Sequence, residues 1–193
     1  MKSSDLLVIG LLLWIVVGCD DRTPYEKLVD QELKSSVTED SLFLEFYFGN
    51  TREEFFKTGW EKNKKGLIAQ GPRNQNVLYI MPNDKLGESP IHMLFFPEFD
   101  KAQKIKYMKL TFTYSGWSPW NKKFSSDSLM IALQDTLQRW YGGNEFVQMK
   151  LPYEQQESLV KLDGNRLINL SKIDDQYIQG YIKDLNHPDY KKQ

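Results

Sequence analysis

Residues 104–115, KIKYMKLTFTYS, alternate in their C-terminal half: Met108, Leu110, Phe112 and Tyr114 are large and apolar, while Lys109, Thr111, Thr113 and Ser115 between them are polar. A period of two belongs to a strand with one face in a core and the other in water. The chain must therefore build an antiparallel sheet whose apolar face needs a cover. Helices are the cover that the rest of the sequence offers. Thr51-Arg52-Glu53-Glu54 has the form of a capping box, in which the threonine hydroxyl accepts from the amide three residues on and the glutamate reaches back. The helix it starts is expected to carry Phe56, Trp60 and Leu67 on one face and to stop at Gly66. A second helix is expected from Ser125-Ser126-Asp127, with Leu129, Met130, Leu133, Leu137 and Trp140 as its apolar stripe and Gly142-Gly143 as its end.

The remaining strands follow from short apolar runs between turn residues. They are expected at 42–48, 76–81 and 91–96 in the first half, and at 145–151, 158–162, 166–171 and 176–184 in the second. Asp163-Gly164-Asn165 joins two of them with tight-turn chemistry, because Gly and Asn tolerate positive φ. The polar tail from Asn186 is expected to fray. The two halves thus repeat an order rather than a sequence: a capped helix, then three or four antiparallel strands, in units of about 42–115 and 121–185. The expected fold class is α+β, a two-layer globular body over 41–193 built of tandem helix-plus-antiparallel-sheet units.

The N-terminus has a different character. Met1-Lys2 is followed by twelve charge-free residues, 6–17, which fall short of the roughly 20 needed to span a bilayer as a helix. The run ends in Val16-Val17-Gly18-Cys19 and is followed by Asp20-Asp21. This pattern resembles the lipobox of bacterial lipoproteins, with residues 1–18 as the signal peptide. The resemblance implies that Cys19 becomes the acylated first residue of the mature chain. It would carry diacylglycerol on its thiol and a further acyl chain such as palmitate on its amine, enough lipid for stable attachment. Residues 19–40 are charged and contain Pro24, and are expected to form a tether, with room for a short helix at 25–33. The expected location is the cell envelope, the outer membrane before the inner. Asp20-Asp21 fits an inner-membrane retention mark or a surface-export mark, which point in opposite directions, or simply the solvated start of a charged tether.

Two further resemblances rest on shorter stretches. The element order is similar to that of the β-lactamase inhibitor protein and of the small lipoprotein of the β-barrel assembly machinery, and Phe48-Gly49-Asn50-Thr51-Arg52-Glu53-Glu54-Phe55 looks like their strand, glycine, polar cap and acidic helix start. The same stretch, with Trp117-Ser118-Pro119-Trp120 and Asp163-Gly164-Asn165-Arg166, resembles bacterial envelope lipoproteins that bring no activity with them.

The chemistry-bearing residues exclude more than they suggest. A net charge of −1 provides no electrostatic footprint for nucleic acid. Cys19 is the single cysteine, so no intrachain disulfide can form. His92 and His187 sit in no metal-ligand spacing, and no metal or cofactor is expected. Glu53-Glu54 and Asp174-Asp175 are adjacent carboxylates, which diverge on a helix and usually face water. No nucleophile elbow or phosphate loop is present. Calcium at Asp163-Gly164-Asn165 lacks the further spaced acidic ligands, so a hairpin turn is the preferred reading. No enzyme is expected. The candidate binding residues are Trp117 and Trp120, either as a platform for a sugar ring or partner side chain, or as a plug between the two halves, the plug being preferred. The expected function is a lipid-anchored, non-catalytic module that binds an envelope protein; the alternative is a surface glycan-binding lipoprotein.

Overall fold

The computed structural model describes residues 21–82, 89–152 and 154–190. Three helices, α1 (Pro24–Lys34), α2 (Arg52–Lys64) and α3 (Ser126–Tyr141), accompany eight strands: β1 (Ile68–Gln70), β2 (Val77–Met81), β3 (Ile91–Phe99), β4 (Ile105–Tyr114), β5 (Val147–Lys150), β6 (Glu157–Asp163), β7 (Arg166–Lys172) and β8 (Ile178–Asp184). They form one antiparallel sheet in the order β1-β2-β3-β4-β8-β7-β6-β5. The fold is α+β. Each half is one helix followed by four strands, and the halves join through their last strands, β4 against β8, in register from Tyr107 opposite Lys183 to Phe112 opposite Ile178.

The alternation in β4 decides which face becomes the core. Met108, Leu110 and Phe112 lie opposite Ile182, Gly180 and Ile178 on one side and Pro97, Phe95 and Met93 on the other. These side chains, with Ile168 and Leu170 of β7, are closed off on an inner face beneath α3 and the 41–48 loop. Both long helices begin at the expected caps. Thr51 and Glu54 form the reciprocal capping box of α2, and Ser125 is the N-cap residue of α3.

Several expectations are corrected. Residues 42–48 are a compact loop, not a strand: Leu44 and Glu45 adopt φ of 49° and 62°, and the chain folds back so that the Leu42 amide donates to the Phe46 carbonyl at 2.9 Å. The aromatic run that read as a strand fills a corner of the core instead, with the Phe46 ring 4.9 Å from Phe55 and 5.6 Å from Phe95. Strand β1 went unread because three residues carry too little pattern. In α2 the buried aromatic is Phe55, while Phe56, Trp60 and Leu67 are exposed, because α2 packs at the sheet edge on a narrow strip. Trp140 likewise leaves the core stripe of α3, where Leu129, Leu133 and Leu137 are buried, and stays 40% exposed.

A further correction concerns the tether. Its described part holds α1, opened by a second capping box, Thr23 with Glu26, and Pro24 in the first turn. Tyr25, Leu28 and Val29 pack on Leu151, Val160, Leu162, Leu167 and Leu185, on the outer face of the second half. The helix is then pinned by polar contacts: the Gly164 amide donates to Glu32 Oε2 at 3.0 Å and the Glu39 amide to Asn165 Oδ1 at 2.7 Å. Gly164 is required here twice over. Its φ is 54°, and a Cβ would sit 2.2 Å from the Val37 carbonyl oxygen. An apolar stripe on a short helix suffices to dock it wherever a sheet face lies bare, and a composition rich in charge does not forbid that. The tail is also held as far as Tyr190, with His187 Nε2 3.3 Å from the Asp100 carboxylate.

Candidate functional site

The site residues expected from the sequence fall in different places. Cys19 and the rest of the lipobox lie outside the described residues. Trp117 is half-buried against the core and its indole Nε1 donates to the Asp175 carbonyl at 3.1 Å, as a plug would. Trp120 is 86% exposed and is no plug. Among the described residues the two rings make no contact with each other, so the Trp-Ser-Pro-Trp segment does not present a paired platform.

The acidic pairs are engaged locally. Glu54 caps α2, and its carboxyl is held below the usual range by the Thr51 amide and hydroxyl. Asp174 accepts from the amides of Gln176 and Tyr177, and Asp175 lies 3.4 Å from Lys172. Among the described residues no group of three or more His, Cys, Asp or Glu is placed to hold a metal ion. Among them, too, no helix is long and apolar enough to cross a membrane.

The residues that sequence reasoning missed are polar and buried. Lys161, Asp163 and Arg166 flank the β6–β7 turn on the inner face, all under 10% exposed. The Lys161 ammonium contacts the carbonyls of Gly142 and Asn144 and lies 2.9 Å from Asp163 Oδ2, so a cation closes the C-terminal end of α3. Asp163 Oδ1 accepts from the Asn144 amide at 2.8 Å. Arg166 reaches the other way. Its Nη1 donates to Glu39 Oε2 at 3.1 Å, to the Ser41 hydroxyl at 3.0 Å and to the Ser41 carbonyl at 3.2 Å, with its carbon Cζ 4.5 Å from the centre of the Tyr141 ring. Burial pushes the Tyr141 phenol upward, partly offset by Arg166, and its hydroxyl donates to the Leu42 carbonyl at 2.7 Å. Every charge in this cluster is spent on holding three chain segments together. The alternation rule hid it, since polar residues in a strand read as solvent-facing. Asn169, on the outer face of β7 opposite Val160, is fully buried, and neither its Nδ2 nor its Oδ1 has a partner among the described residues.

Among the described residues, several surfaces are open to a ligand or partner. Among the described residues, no helix covers the outer face of β2–β4 as α1 covers the second half: Ile80 is 52% exposed and Leu78, His92, Leu94, Thr111 and Thr113 are half-buried. A shallow apolar groove runs between α2 and β1 past Phe56, Trp60 and Ile68. A smaller pocket of about 340 Å³ lies between the 41–44 loop and the end of α3, lined by Ser41, Leu42, Phe43, Leu44, Tyr79, Trp140 and Tyr141. Its rings are set at angles: Tyr79 and Trp140 are 6.4 Å apart at 46°, and Trp140 and Tyr141 are 6.5 Å apart at 68°. Compared with known proteins, the chain matches no family model, no curated protein and no solved structure.

Proposed function

We propose that this chain is a lipid-anchored protein of the bacterial cell envelope that works as a non-catalytic protein-interaction module, acylated at Cys19 and held at a membrane, the outer one before the inner. The observation that carries the interaction role is the uneven cover of the sheet. Its outer face is covered by α1 over the second half and, among the described residues, by no helix over β2–β4, where Leu78, Ile80 and Leu94 face outward beside Thr111 and Thr113 of β4. Half-exposed apolar side chains on a flat, hydrogen-bonded surface suit a partner that docks on them. The buried charges support a non-catalytic reading because each is engaged with backbone or with another charge and is shut off from solvent. The anchor reading is supported by Val16-Val17-Gly18-Cys19 after a short apolar run.

The two parts are tested separately. Mass spectrometry of the purified N-terminus is expected to return acylated Cys19 with residues 1–18 removed, and an intact Met1 or a free thiol overturns the anchor. A photo-crosslinker at position 94 in living cells is expected to trap one and the same protein in repeat preparations, and Ile80→Asp is expected to abolish the adduct. Failure to trap any partner, or an adduct that is indifferent to Ile80→Asp, overturns the interaction role.

A further inference from the structure

We infer that the pocket between the 41–44 loop and the end of α3 is a binding site for an uncharged sugar ring, stacked on Trp140. The inference does not depend on the outer sheet face or on the anchor. It starts from Trp140, which the apolar spacing of α3 would send into the core. The structure leaves it 40% exposed, packed at a tilt against Tyr79 of β2 with ring centroids 6.4 Å apart, and the two rings together line a pocket of about 340 Å³, within the size range of small-ligand pockets.

The wall is built rather than incidental. Leu44 and Glu45 hold left-handed φ values of 49° and 62°, which a leucine rarely adopts, and such strain persists only where the surroundings over-determine it. They do so here. Buried Lys62 grips the Glu45 carboxylate, the Tyr141 hydroxyl fixes the Leu42 carbonyl at 2.7 Å, and Arg166 Nη1 fixes the Ser41 carbonyl at 3.2 Å. A pocket whose loop is clamped from three sides needs little further ordering to bind.

The lining chooses the ligand class. No lining side chain carries a charge, which removes the counter-ion that an acid or a phosphate would need. An organic cation is disfavoured because the Tyr141 ring already faces the Arg166 guanidinium at 4.5 Å, and a second positive charge would meet the first across that ring. A pure hydrocarbon would leave the rim hydroxyls unmatched. The Ser41 oxygen accepts from Arg166 Nη1 at 3.0 Å, so its own proton is free to point outward. The half-exposed Tyr79 hydroxyl has no hydrogen-bond partner among the described residues. One aromatic plane plus a rim of neutral hydroxyls matches a ring with an apolar C–H face and polar edges, which is the description of a pyranose.

The test uses the full chain in a detergent that is neither a glycoside nor a choline ester, with methyl β-glucoside, methyl α-mannoside, N-acetylglucosamine and choline as probes. Saturation-transfer NMR and tryptophan fluorescence are the readouts. At least one of the three sugars is expected to bind. Trp140→Ala should weaken it about tenfold or more, as losing an aromatic stack does, Tyr79→Phe should weaken it several-fold, and Trp120→Ala should leave it unchanged. Thermal unfolding of each variant checks that the fold persists. Tyr79→Phe, which removes one oxygen, keeps the test meaningful should Trp140→Ala not fold. Binding of none of the sugars overturns the inference. So does sugar binding that survives both Trp140→Ala and Tyr79→Phe, or choline displacing the sugar.

Discussion

Arg166 and Tyr141, 25 positions apart in the chain, meet with the guanidinium carbon 4.5 Å from the centre of the phenol ring, and both hold the same loop: Tyr141 through the Leu42 carbonyl and Arg166 through the Ser41 carbonyl and hydroxyl. The first residue of β7 and the last of α3 therefore act as one clamp on the segment that enters the body.

Breaking that clamp from the arginine side is expected to be costly. Arg166→Leu removes the cation that faces the partly exposed Glu39 and frees two groups of Ser41, and a loss of about 2–3 kcal/mol in urea unfolding is expected. Arg166→Lys is expected to recover only part of it, because an ammonium cannot reproduce the planar fork that reaches Glu39 and Ser41 together. A Lys variant as stable as wild type would show that only the charge matters.

A similar argument applies to Lys161, with a different signature. Lys161→Met strands the Gly142 and Asn144 carbonyls and leaves Asp163 with only the more distant Arg166 guanidinium at 3.8 Å, an expected loss of about 3 kcal/mol. Asp163→Asn alone is also destabilising. Because the two share partners, the double variant is expected to cost less than the sum of the singles, and strict additivity in a double-mutant cycle would refute the coupling.

Alkaline pH is expected to unfold this protein through its tyrosines. Burial raises Tyr25, Tyr79, Tyr107, Tyr141, Tyr181 and Tyr190 above the ordinary phenol value. Above about pH 10 the unfolded chain releases these protons while the folded one keeps them. The unfolded state then binds fewer protons, so unfolding free energy falls as pH rises. The stability tied to these groups is complete below that pH and is lost above it. Lys183, lowered by burial, works in the opposite direction but is a single group. Urea midpoints measured across this range should decline, and Tyr141→Phe should decline less steeply while losing about 1 kcal/mol at neutral pH for its bond to Leu42.

Asn169 offers the reverse outcome. Its amide is fully buried with both polar atoms unpartnered among the described residues, so Asn169→Leu is expected to raise stability by about 1 kcal/mol or more. A destabilised Leu variant in urea unfolding would mean that a bound water or a partner satisfies the amide.

Helix α1 is expected to open first. It carries no fully buried residue of its own and is held by three half-buried apolar side chains and by contacts at the β6–β7 turn. Leu28→Asp should release it, seen as faster amide exchange over residues 24–34 and as protease cleavage there, while β3, β4 and β8 stay protected. Gly164→Ala is expected to loosen the same corner, because its Cβ would collide with the Val37 carbonyl at a φ that alanine disfavours.

Much of this architecture could be read before any coordinates. The period-two run in β4 fixes a sheet with one wet face. The capping box of Thr51 with Glu54 fixes where α2 starts, because helix caps are local chemistry between residues three apart, and the serine run that ends at Ser125 marks the start of α3 without a side-chain cap. The turn at Gly164-Asn165 is set by backbone φ, and the order of helix and strands in each half follows from these local signals. What tertiary structure alone decided is which side of each element another element covers. Phe55 is buried and Phe56 is not because α2 lies at an edge; Trp140 is turned outward because Leu129, Leu133 and Leu137 already fill the inner face. Lys161 and Arg166 are driven inside because the ends of two distant segments bring carbonyls and carboxylates to them. Periodicity records the preference of one element for some apolar neighbour. The identity and direction of that neighbour are set by contacts between residues a hundred positions apart, which no local pattern encodes.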